Sequence, residues 1–277
     1  MFKVTAYERL TTNEYQLWID APRIAARAKP GQFVIIRMDE TGERIPLTIC
    51  ETNPKDGLIR IIFQVIGKST AELAEYKTGS ELLDVVGPLG TPTAIKNYGT
   101  VLLVGGGVGI AALYPTVKGL KQAGNRVITV LGAKSKDILI LRDECAKYSD
   151  ELILMTDDGS IGRKGLVTEA MEDVFNREQI DQAWAVGPGI MMRFCTQVAT
   201  KHDVPVYVSL NPIMIDGTGM CGCCRVTVDE HIKFACVDGP EFLGAGVDWD
   251  SFMQRMRQYR VQEKQAFEQY EQLRQVQ

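Results

Sequence analysis

The feature that most constrains this chain is a short cysteine-rich segment near residue 220. It reads Asp216-Gly-Thr-Gly-Met-Cys221-Gly-Cys223-Cys224, and Cys236 follows twelve residues later, so that four of the seven cysteines fall within 21 residues. These four are too crowded for an ordinary disulfide framework. Thiolates on a glycine-rich loop, with free backbone N–H groups facing inorganic sulfide, are what a metal centre requires. The segment therefore predicts a metal site in a reducing compartment, the cytoplasm.

Length and charge narrow the class of protein. A chain of 277 residues is long enough for two domains. A net charge of −4 argues against nucleic acid or an anionic membrane as the main partner. The N-terminus lacks the apolar run of a signal peptide, and the longest uncharged run, residues 97–117, contains five glycines and Pro115. We therefore expect a soluble protein with no membrane partner.

Residues 1–97 predict a β-barrel. Short apolar runs alternate with turn signals, and one short helix is expected at Thr70–Tyr76. Many short strands with regular turns favour a closed barrel, which leaves no exposed sheet edge. The expected strands are Phe2–Leu10, Tyr15–Asp20, Gln32–Met38, Ile45–Thr52, Leu58–Val65 and Leu82–Val86.

Residues 98–210 predict an α/β domain. Strands alternate with helices, which is typical of a parallel sheet covered by helices on both faces. Residues 211–250 are expected to form the cysteine segment, with a hairpin at Arg225–Asp229 and Ile232–Ala235. Residues 251–277 are expected to form an amphipathic helix, for which docking of another subunit and packing on this chain alone are the alternatives. The strands are Val101–Val104, Val127–Leu131, Leu152–Met155, Trp184–Val186 and Val206–Val208, and the helices are Ile110–Gln122, Leu139–Lys147, Leu166–Phe175 and Ile190–Lys201.

Three loops of the α/β domain suggest a nucleotide site. A glycine-rich turn after the first strand lets the backbone approach a pyrophosphate at a helix N-terminus, although such glycines can also serve only the turn. The second strand lacks the acidic residue that an ordinary dehydrogenase holds against the ribose. Two further loops follow strands on the same edge. The candidate residues are Gly105, Gly106, Gly107, Gly109, Asp158, Gly187, Pro188 and Met191.

Two barrel segments are candidates for a flavin. In the first, an arginine, a fixed backbone and a hydroxyl share one strand, and in the second a strand leads into a glycine and hydroxyl residues at a helix start. The plainer interpretations are a surface arginine and a helix cap. The residues are Arg44, Pro46, Leu47 and Thr48, then Gln64, Val65, Ile66, Gly67, Lys68, Ser69 and Thr70. We expect Cys50, Cys145 and Cys195 to be core residues, and His202 and His231 to lie at the surface.

Taken together, these motifs resemble the ferredoxin–NADP reductase superfamily. The appended cysteine loop resembles the electron-transfer subunit of dihydroorotate dehydrogenase. It is still more similar to the small subunits of NADH-dependent reduced ferredoxin:NADP oxidoreductase and of sulfide dehydrogenase. The resemblance covers essentially the whole chain, and its most specific parts are residues 209–226, Phe234-Ala-Cys-Val-Asp-Gly-Pro-Glu-Phe and Val247-Asp-Trp-Asp.

The resemblance implies a ferredoxin-reductase barrel that binds FAD, an α/β domain that binds NAD(H), and a C-terminal [2Fe–2S] loop. It implies an oxidoreductase subunit that takes hydride from NAD(P)H to FAD and passes single electrons through the cluster to another protein. The expected partner is a larger flavoprotein subunit with FAD and [4Fe–4S] clusters, in a heterodimer that couples NADH, NADPH and ferredoxin by bifurcation. The alternatives are sulfide dehydrogenase (polysulfide reduction), dihydroorotate dehydrogenase, and a structural zinc site in a nucleotide-sensing protein.

The resemblance also implies a ligand set. The dihydroorotate type has a cysteine as the first ligand, whereas this chain has an aspartate there, as the oxidoreductase subgroup does. The implied ligands are Asp216, Cys221, Cys224 and Cys236, with Cys223 as the alternative to Asp216. No catalytic acid or base is expected. The preference between NADH and NADPH stays open, because Lys134 and Lys136 would suit a 2′-phosphate.

Overall fold

The structure, a computed structural model, describes residues 1–275. Its first part is an antiparallel sheet of seven strands in the order β6-β1-β2-β5-β4-β3-β7. The end strands β6 and β7 are separated only by Leu83, so the chain itself joins the two edges of a nearly closed barrel. The elements are β1 (Phe2–Arg9), β2 (Glu14–Asp20), α1 (Pro22–Ala25), β3 (Phe33–Arg37), β4 (Ile45–Asn53), β5 (Leu58–Gln64), α2 (Lys68–Ala74), β6 (Glu81–Leu82) and β7 (Asp84–Leu89).

Strand β3 shows how the barrel is tied to the rest of the molecule. Successive side chains of a strand point to opposite faces. Val34 and Ile36 pack with the barrel core, whereas Phe33 and Ile35 pack with the core of the following domain. All four are at most 4% exposed. The strand is therefore apolar on both faces, and its outer face supports the second domain.

The second part is a sheet in the order β11-β10-β9-β8-β12-β13-β16. Its first six strands are parallel, and β16 adds antiparallel to β13. The predicted parallel sheet is confirmed, while β11 and β16 had not been predicted. The strands are β8 (Thr100–Gly106), β9 (Arg126–Ala133), β10 (Glu151–Thr156), β11 (Arg163–Lys164), β12 (Gln182–Val186), β13 (Val206–Ser209), the separate hairpin β14 (Arg225–Val228) and β15 (His231–Phe234), and β16 (Glu241–Leu243).

Helices cover both faces of this sheet, as the alternation of strands and helices predicts. Helix α3 (Gly109–Gln122) packs on one face, where Leu113 lies in one cluster with Val101 and Leu103. Helices α5 (Val167–Arg177) and α6 (Gly189–Lys201) pack on the other face. The helix predicted at Leu139–Lys147 is shorter: α4 spans only Arg142–Ala146, because Leu141 adopts a left-handed conformation with φ 53°.

The predicted C-terminal helix is two helices. Helix α7 (Trp249–Arg255) begins where the Asp248 side chain accepts a 3.0 Å hydrogen bond from the Ser251 amide, and residues 256–259 form a turn before α8 (Arg260–Gln275). The last two residues of the prediction, 276 and 277, lie outside the described part of the chain. In residues 1–275, no helix has the length and apolar character needed to cross a bilayer.

Candidate cofactor site

The carboxyl ends of the parallel strands meet at one edge of the second sheet. Because β8, β9, β10, β12 and β13 run in the same direction, the loops that follow them lie side by side in the strand order. These loops include the predicted nucleotide residues and, after β13, the cysteine segment. Ligands of open α/β sheets bind at this edge.

The two glycine loops that follow β8 and β12 are packed directly against each other. A Cβ atom at Gly109 would lie 2.6 Å from both the Gly187 Cα and the Val186 oxygen, and one at Gly106 would collide with the Met191 sulfur. The structure therefore brings these predicted residues together, with Gly105 at the end of β8 and Pro188 just before α6. Here the glycines permit close packing between the two loops.

Gly107 differs from its neighbours in that loop. Its φ is +54°, and a Cβ atom there would meet nothing within 4 Å. Its amide donates to the Gly132 oxygen at 2.9 Å. The backbone is therefore open on this side, where a ligand can approach it closely.

Asp158 lies in the loop after β10, next to the loop after β9. Its amide donates to the Lys134 oxygen at 3.2 Å, and its carboxylate accepts from the Ser160 amide at 2.9 Å. Hydrogen bonds from Ser160 lower the pKa of Asp158. The Ser160 hydroxyl in turn accepts from the Lys136 amide at 2.8 Å. An ionised carboxylate and two lysines are thus placed near the nucleotide edge.

On the barrel, the start of β4 has an unusually open surface. Residues 45–48 are all half-buried, whereas Ile49 and Cys50, which follow them, are buried. A strand that covered only the barrel core would alternate between buried and exposed positions. The continuous half-buried run, which includes the predicted Pro46, Leu47 and Thr48, fits a flat ring laid along the strand.

The segment before α2 combines a helix cap with open backbone. The Thr70 hydroxyl accepts from the amides of Ile66 at 3.0 Å and Gly67 at 3.2 Å, so its role here is the capping role of the plainer interpretation. Ser69 hydrogen-bonds to Glu43, and Lys68 forms an ion pair with Glu72. Ile66 is 79% exposed, and a Cβ atom at Gly67 would meet nothing within 4 Å. Gln64 and Val65 end β5 beside this open surface.

The cysteine loop is attached to the barrel beside β4. The Arg44 Nε donates a 2.6 Å hydrogen bond to the Ile215 oxygen. Gly217, with φ +78°, lies against strands β3 and β7: a Cβ atom there would be 2.8 Å from Ile35 Cδ1 and 2.6 Å from Leu89 Cδ1. The loop that carries the cysteines therefore rests on β3 and β7, and Arg44 ties it to the start of β4, the strand that presents the predicted flavin residues.

The Asp216 carboxylate organises the beginning of this loop. It accepts hydrogen bonds from the amides of Thr218, Met220 and Cys221, each at 3.0 Å. The hydrogen bonds from Thr218, above all that from its amide, and those from Cys221 lower the pKa of Asp216 to about 2. The side chain is thus an ionised oxygen donor held within the loop of the cysteines.

The four cysteines form two close pairs. The Cys224 and Cys236 sulfurs are 3.2 Å apart and buried, and burial raises the pKa of Cys236 to about 12. Cys221 is exposed and lies two residues before the half-buried Cys223, whose amide lowers the pKa of Cys221. Within residues 1–275, no three side chains of histidine, cysteine, aspartate or glutamate lie close enough together to hold a single metal ion.

This donor set fits an iron–sulfur cluster. Cysteine sulfurs that share one loop are the ligands that such clusters require, and hydrogen bonds to sulfur help to set their potential. The Cys236 amide already donates to the Cys224 sulfur at 3.5 Å. The geometry leaves both Asp216 and Cys223 beside Cys221, so the choice between them stays a prediction.

Comparison with known proteins places the chain in a family. A family model described as the iron–sulfur cluster binding domain of dihydroorotate dehydrogenase B matches residues 211–248. A Thermotoga maritima protein described as a homolog of the dihydroorotate dehydrogenase B (NAD(+)) electron transfer subunit is 57% identical over 262 residues, which are 95% of this chain and 93% of the relative. The chain belongs to the family of dihydroorotate dehydrogenase B electron transfer subunits.

Solved structures agree with this family and with the fold. The structure of NADH-dependent reduced ferredoxin-NADP oxidoreductase, described for flavin-based electron bifurcation, includes a chain that is 55% identical, with a TM-score of 0.93 and 98% of each chain covered. Phthalate dioxygenase reductase, at 14% identity, a TM-score of 0.61, and 82% of this chain and 85% of that chain covered, shows the fold alone. The predicted resemblance and the ferredoxin-reductase fold are confirmed.

One contact to the cysteine loop of this electron transfer subunit was not predicted from the sequence. Arg255 of α7 donates from Nη2 to the Cys223 oxygen at 2.9 Å. Nearby, Phe252 of α7 is 2% exposed and packs beside Gly189, at the start of α6. These residues are 32 and 63 positions from their partners, and nothing in their local spacing indicates the contacts.

The remaining cysteines and His231 lie where they were predicted, whereas His202, predicted at the surface, is half-buried. Cys50, Cys145 and Cys195 are buried, and burial raises the pKa of each thiol to about 12. His231 is exposed, and the His202 ring lies 2.8 Å from a Glu172 carboxylate oxygen. None of these residues lies in the cysteine loop.

Proposed function

We propose that this chain is a flavin and iron–sulfur electron transfer subunit that couples the oxidation of NAD(P)H to the reduction of a partner protein. The observation that carries this proposal is the junction of Arg44 with Ile215 and of Gly217 with Ile35 and Leu89. It places a candidate metal loop on β3 and β7, beside the start of β4, the candidate flavin strand. A short distance between two redox groups is what electron transfer between them needs.

The proposed cofactors are FAD in the barrel (residues 1–97), NAD(H) in the α/β domain (98–210) and a [2Fe–2S] cluster in residues 211–250. When bound, the flavin accepts hydride from the nicotinamide and releases electrons singly, and the cluster carries them one at a time. The match of residues 211–248 to an iron–sulfur binding domain supports the cluster over a zinc site.

The residues of the chain bind and orient these groups. The open backbone at Gly107 and the first turn of α3 would hold the pyrophosphate of the nucleotide, and Asp158 would lie near its ribose. The half-buried face of β4 would support the flavin ring, and the guanidinium of Arg44 would lie beside its diphosphate. Asp216, Cys221, Cys224 and Cys236 would hold the cluster.

For the physiological reaction we propose NADH-dependent reduced ferredoxin:NADP oxidoreductase, because a chain of that complex is 55% identical over nearly the full length. The partner would then be a larger subunit with FAD and [4Fe–4S] clusters, and ferredoxin would be reached through the complex. The second candidate is dihydroorotate dehydrogenase B, which the description of the T. maritima relative favours. Sulfide dehydrogenase is the third.

Anaerobic purification of the full chain tests the proposal. We expect about one flavin and two iron and two sulfide ions per chain, a flavin that NADH bleaches, and an EPR signal after reduction with dithionite. A colourless protein that contains zinc would contradict it. Copurification with the larger subunit, followed by assays with NADP and ferredoxin, with dihydroorotate and with polysulfide, would separate the three reactions.

A further inference from the structure

A cavity of about 490 Å³ lies between the hairpin β14–β15 and helix α7. Arg225 at the start of β14 and Arg255 at the end of α7 contribute two guanidinium groups to its wall. Ser251, Gln254 and Gln258 add one hydroxyl and two amides. Among the residues that the structure describes, none with an acidic side chain lines the cavity. We call it the arginine cavity.

The two guanidiniums are not neutralised by the chain. Arg225 donates to the Gly222 oxygen at 3.1 Å and Arg255 to the Cys223 oxygen at 2.9 Å, both of which are backbone atoms. Neither arginine forms an ion pair with any residue from 1 to 274. The Nε atom of Arg255 is buried and has no hydrogen-bond partner. The wall of the cavity therefore carries two positive charges with no carboxylate beside them among the described residues, and this charge favours an anion in the cavity.

The position of the cavity indicates the source of that anion. Arg225 donates a hydrogen bond to the carbonyl oxygen of residue 222, and Arg255 donates one to that of residue 223. These two residues directly precede the proposed ligand Cys224. The outer strand of the hairpin presents Ile232, which lines the same cavity and is 66% exposed. Two cations beside an exposed apolar side chain, next to the point where electrons leave the chain, have the composition of a protein interface.

We infer that the arginine cavity receives an acidic side chain of the larger subunit and so docks that subunit beside the cysteine loop. This inference rests on the proposed function, which requires a protein partner at the loop. The fork of a guanidinium matches a carboxylate in a bidentate arrangement, and Arg255 would fix the carboxylate while it holds the Cys223 carbonyl. Docking at the cavity therefore sets the partner's position relative to the cysteines.

The test uses the full chain with its cofactors and the separately purified larger subunit. The dissociation constant of the complex is measured at low and at high salt for the wild type and for Arg225→Gln. We expect the variant to bind about tenfold more weakly or worse, and to lose part of the salt dependence. Arg255→Lys, which keeps the charge and loses the fork, should weaken binding to a similar degree.

Arg23→Gln is the matched control, because Arg23 is an exposed arginine on α1 of the barrel. It should leave the dissociation constant unchanged. Equal affinities for Arg225→Gln and wild type would overturn the inference. So would an Arg225-dependent site for inorganic phosphate that does not compete with the larger subunit, since the cavity would then bind a free anion.

Flavin and iron content are measured on every sample. If the wild-type chain contained neither flavin nor iron, the proposed function would be contradicted, whatever the affinity of the chain for the larger subunit. If the wild-type chain carried both groups and the Arg225→Gln variant bound the larger subunit normally, only the docking inference would be contradicted. For Arg255→Lys, an unchanged iron content shows that a weaker complex is not due to a damaged loop.

Discussion

The Cys221 amide donates a 3.0 Å hydrogen bond to Oδ2 of Asp216. The same oxygen accepts from the Met220 amide, and the other carboxylate oxygen accepts from the Thr218 amide. One carboxylate therefore shapes the turn that leads to the first cysteine of the loop. Its proposed role as a cluster ligand and its role in the turn must be separated by experiment.

Replacement of Asp216 tests the ligand set. Asp216→Ala should lose or destabilise the cluster, because it removes both the ligand and the acceptor, whereas Cys223→Ser should keep it. Asp216→Asn keeps an acceptor for the turn but supplies a poorer ligand, so its cluster should also be weakened. Iron and sulfide analysis with EPR measures each outcome. A full cluster in Asp216→Ala with loss in Cys223→Ser would reverse the assignment.

A second prediction concerns the close contact between Gly109 and Gly187. Gly109→Ala inserts a Cβ atom 2.6 Å from the Gly187 Cα and must push the two nucleotide loops apart. We expect a loss of about 1–3 kcal/mol in the free energy of unfolding and a higher KM for NADH. Gly67→Ala is the control for stability, since its Cβ atom meets nothing within 4 Å and its φ of −166° is extended. Equal unfolding curves for both variants would contradict the steric argument.

Glu241 gives the chain a pH-dependent stability. Its carboxyl accepts from the Thr93 hydroxyl at 2.7 Å, and burial raises its pKa from 4.5 to about 7. Because the folded chain holds this proton more tightly, the stabilisation is complete below about pH 4.5 and is lost as the pH rises to about 7. Glu241→Gln should remove up to about 3 kcal/mol of this pH dependence.

Thermal unfolding between about pH 5 and pH 8 measures the effect, as the difference between the wild type and Glu241→Gln. The glutamine can still accept from Thr93, so the comparison isolates the titration. Parallel curves for the two proteins would show that Glu241 ionises normally.

Helix α8 is a candidate for a second docking element. It contacts the barrel at α2, where Arg274 pairs with Glu75 at 3.0 Å, and most of its other side chains are exposed. Deletion of residues 260–277 should therefore leave flavin and cluster in place and abolish copurification with the larger subunit. Phe252 and Arg255 must be retained, because α7 packs against the nucleotide loop and the cysteine loop. A complex that survives the deletion would assign α8 to the fold of this chain alone.

The sequence predicts the elements whose pattern is local. The barrel strands and the parallel strands show their apolar runs between turn signals, so all of the longer ones were predicted within a few residues. Strand β16 was missed because three residues, Glu241–Leu243, carry no such pattern. The break at residues 256–259 was missed because Met, Arg, Gln and Tyr are compatible with a continuous helix.

The residues of the candidate site likewise include some that the sequence reveals and others that only the fold reveals. Its glycines and cysteines are visible in the sequence because their spacing is short. The packing of Gly217 against Ile35 and the hydrogen bond from Arg255 to the Cys223 oxygen join residues that are far apart in the chain. Only the three-dimensional fold brings such pairs together, and no local propensity records them.

The pairing of β13 with β16 has a consequence for engineering. Ser209 and Glu241 are partners in adjacent strands, so the whole cysteine segment leaves and re-enters the sheet through two ends about 5 Å apart. A segment with such close ends is a candidate for exchange with a loop that carries another set of ligands. Because Cys224, Val226 and Cys236 pack in the core of the second domain, the exchanged loop must keep these apolar contacts.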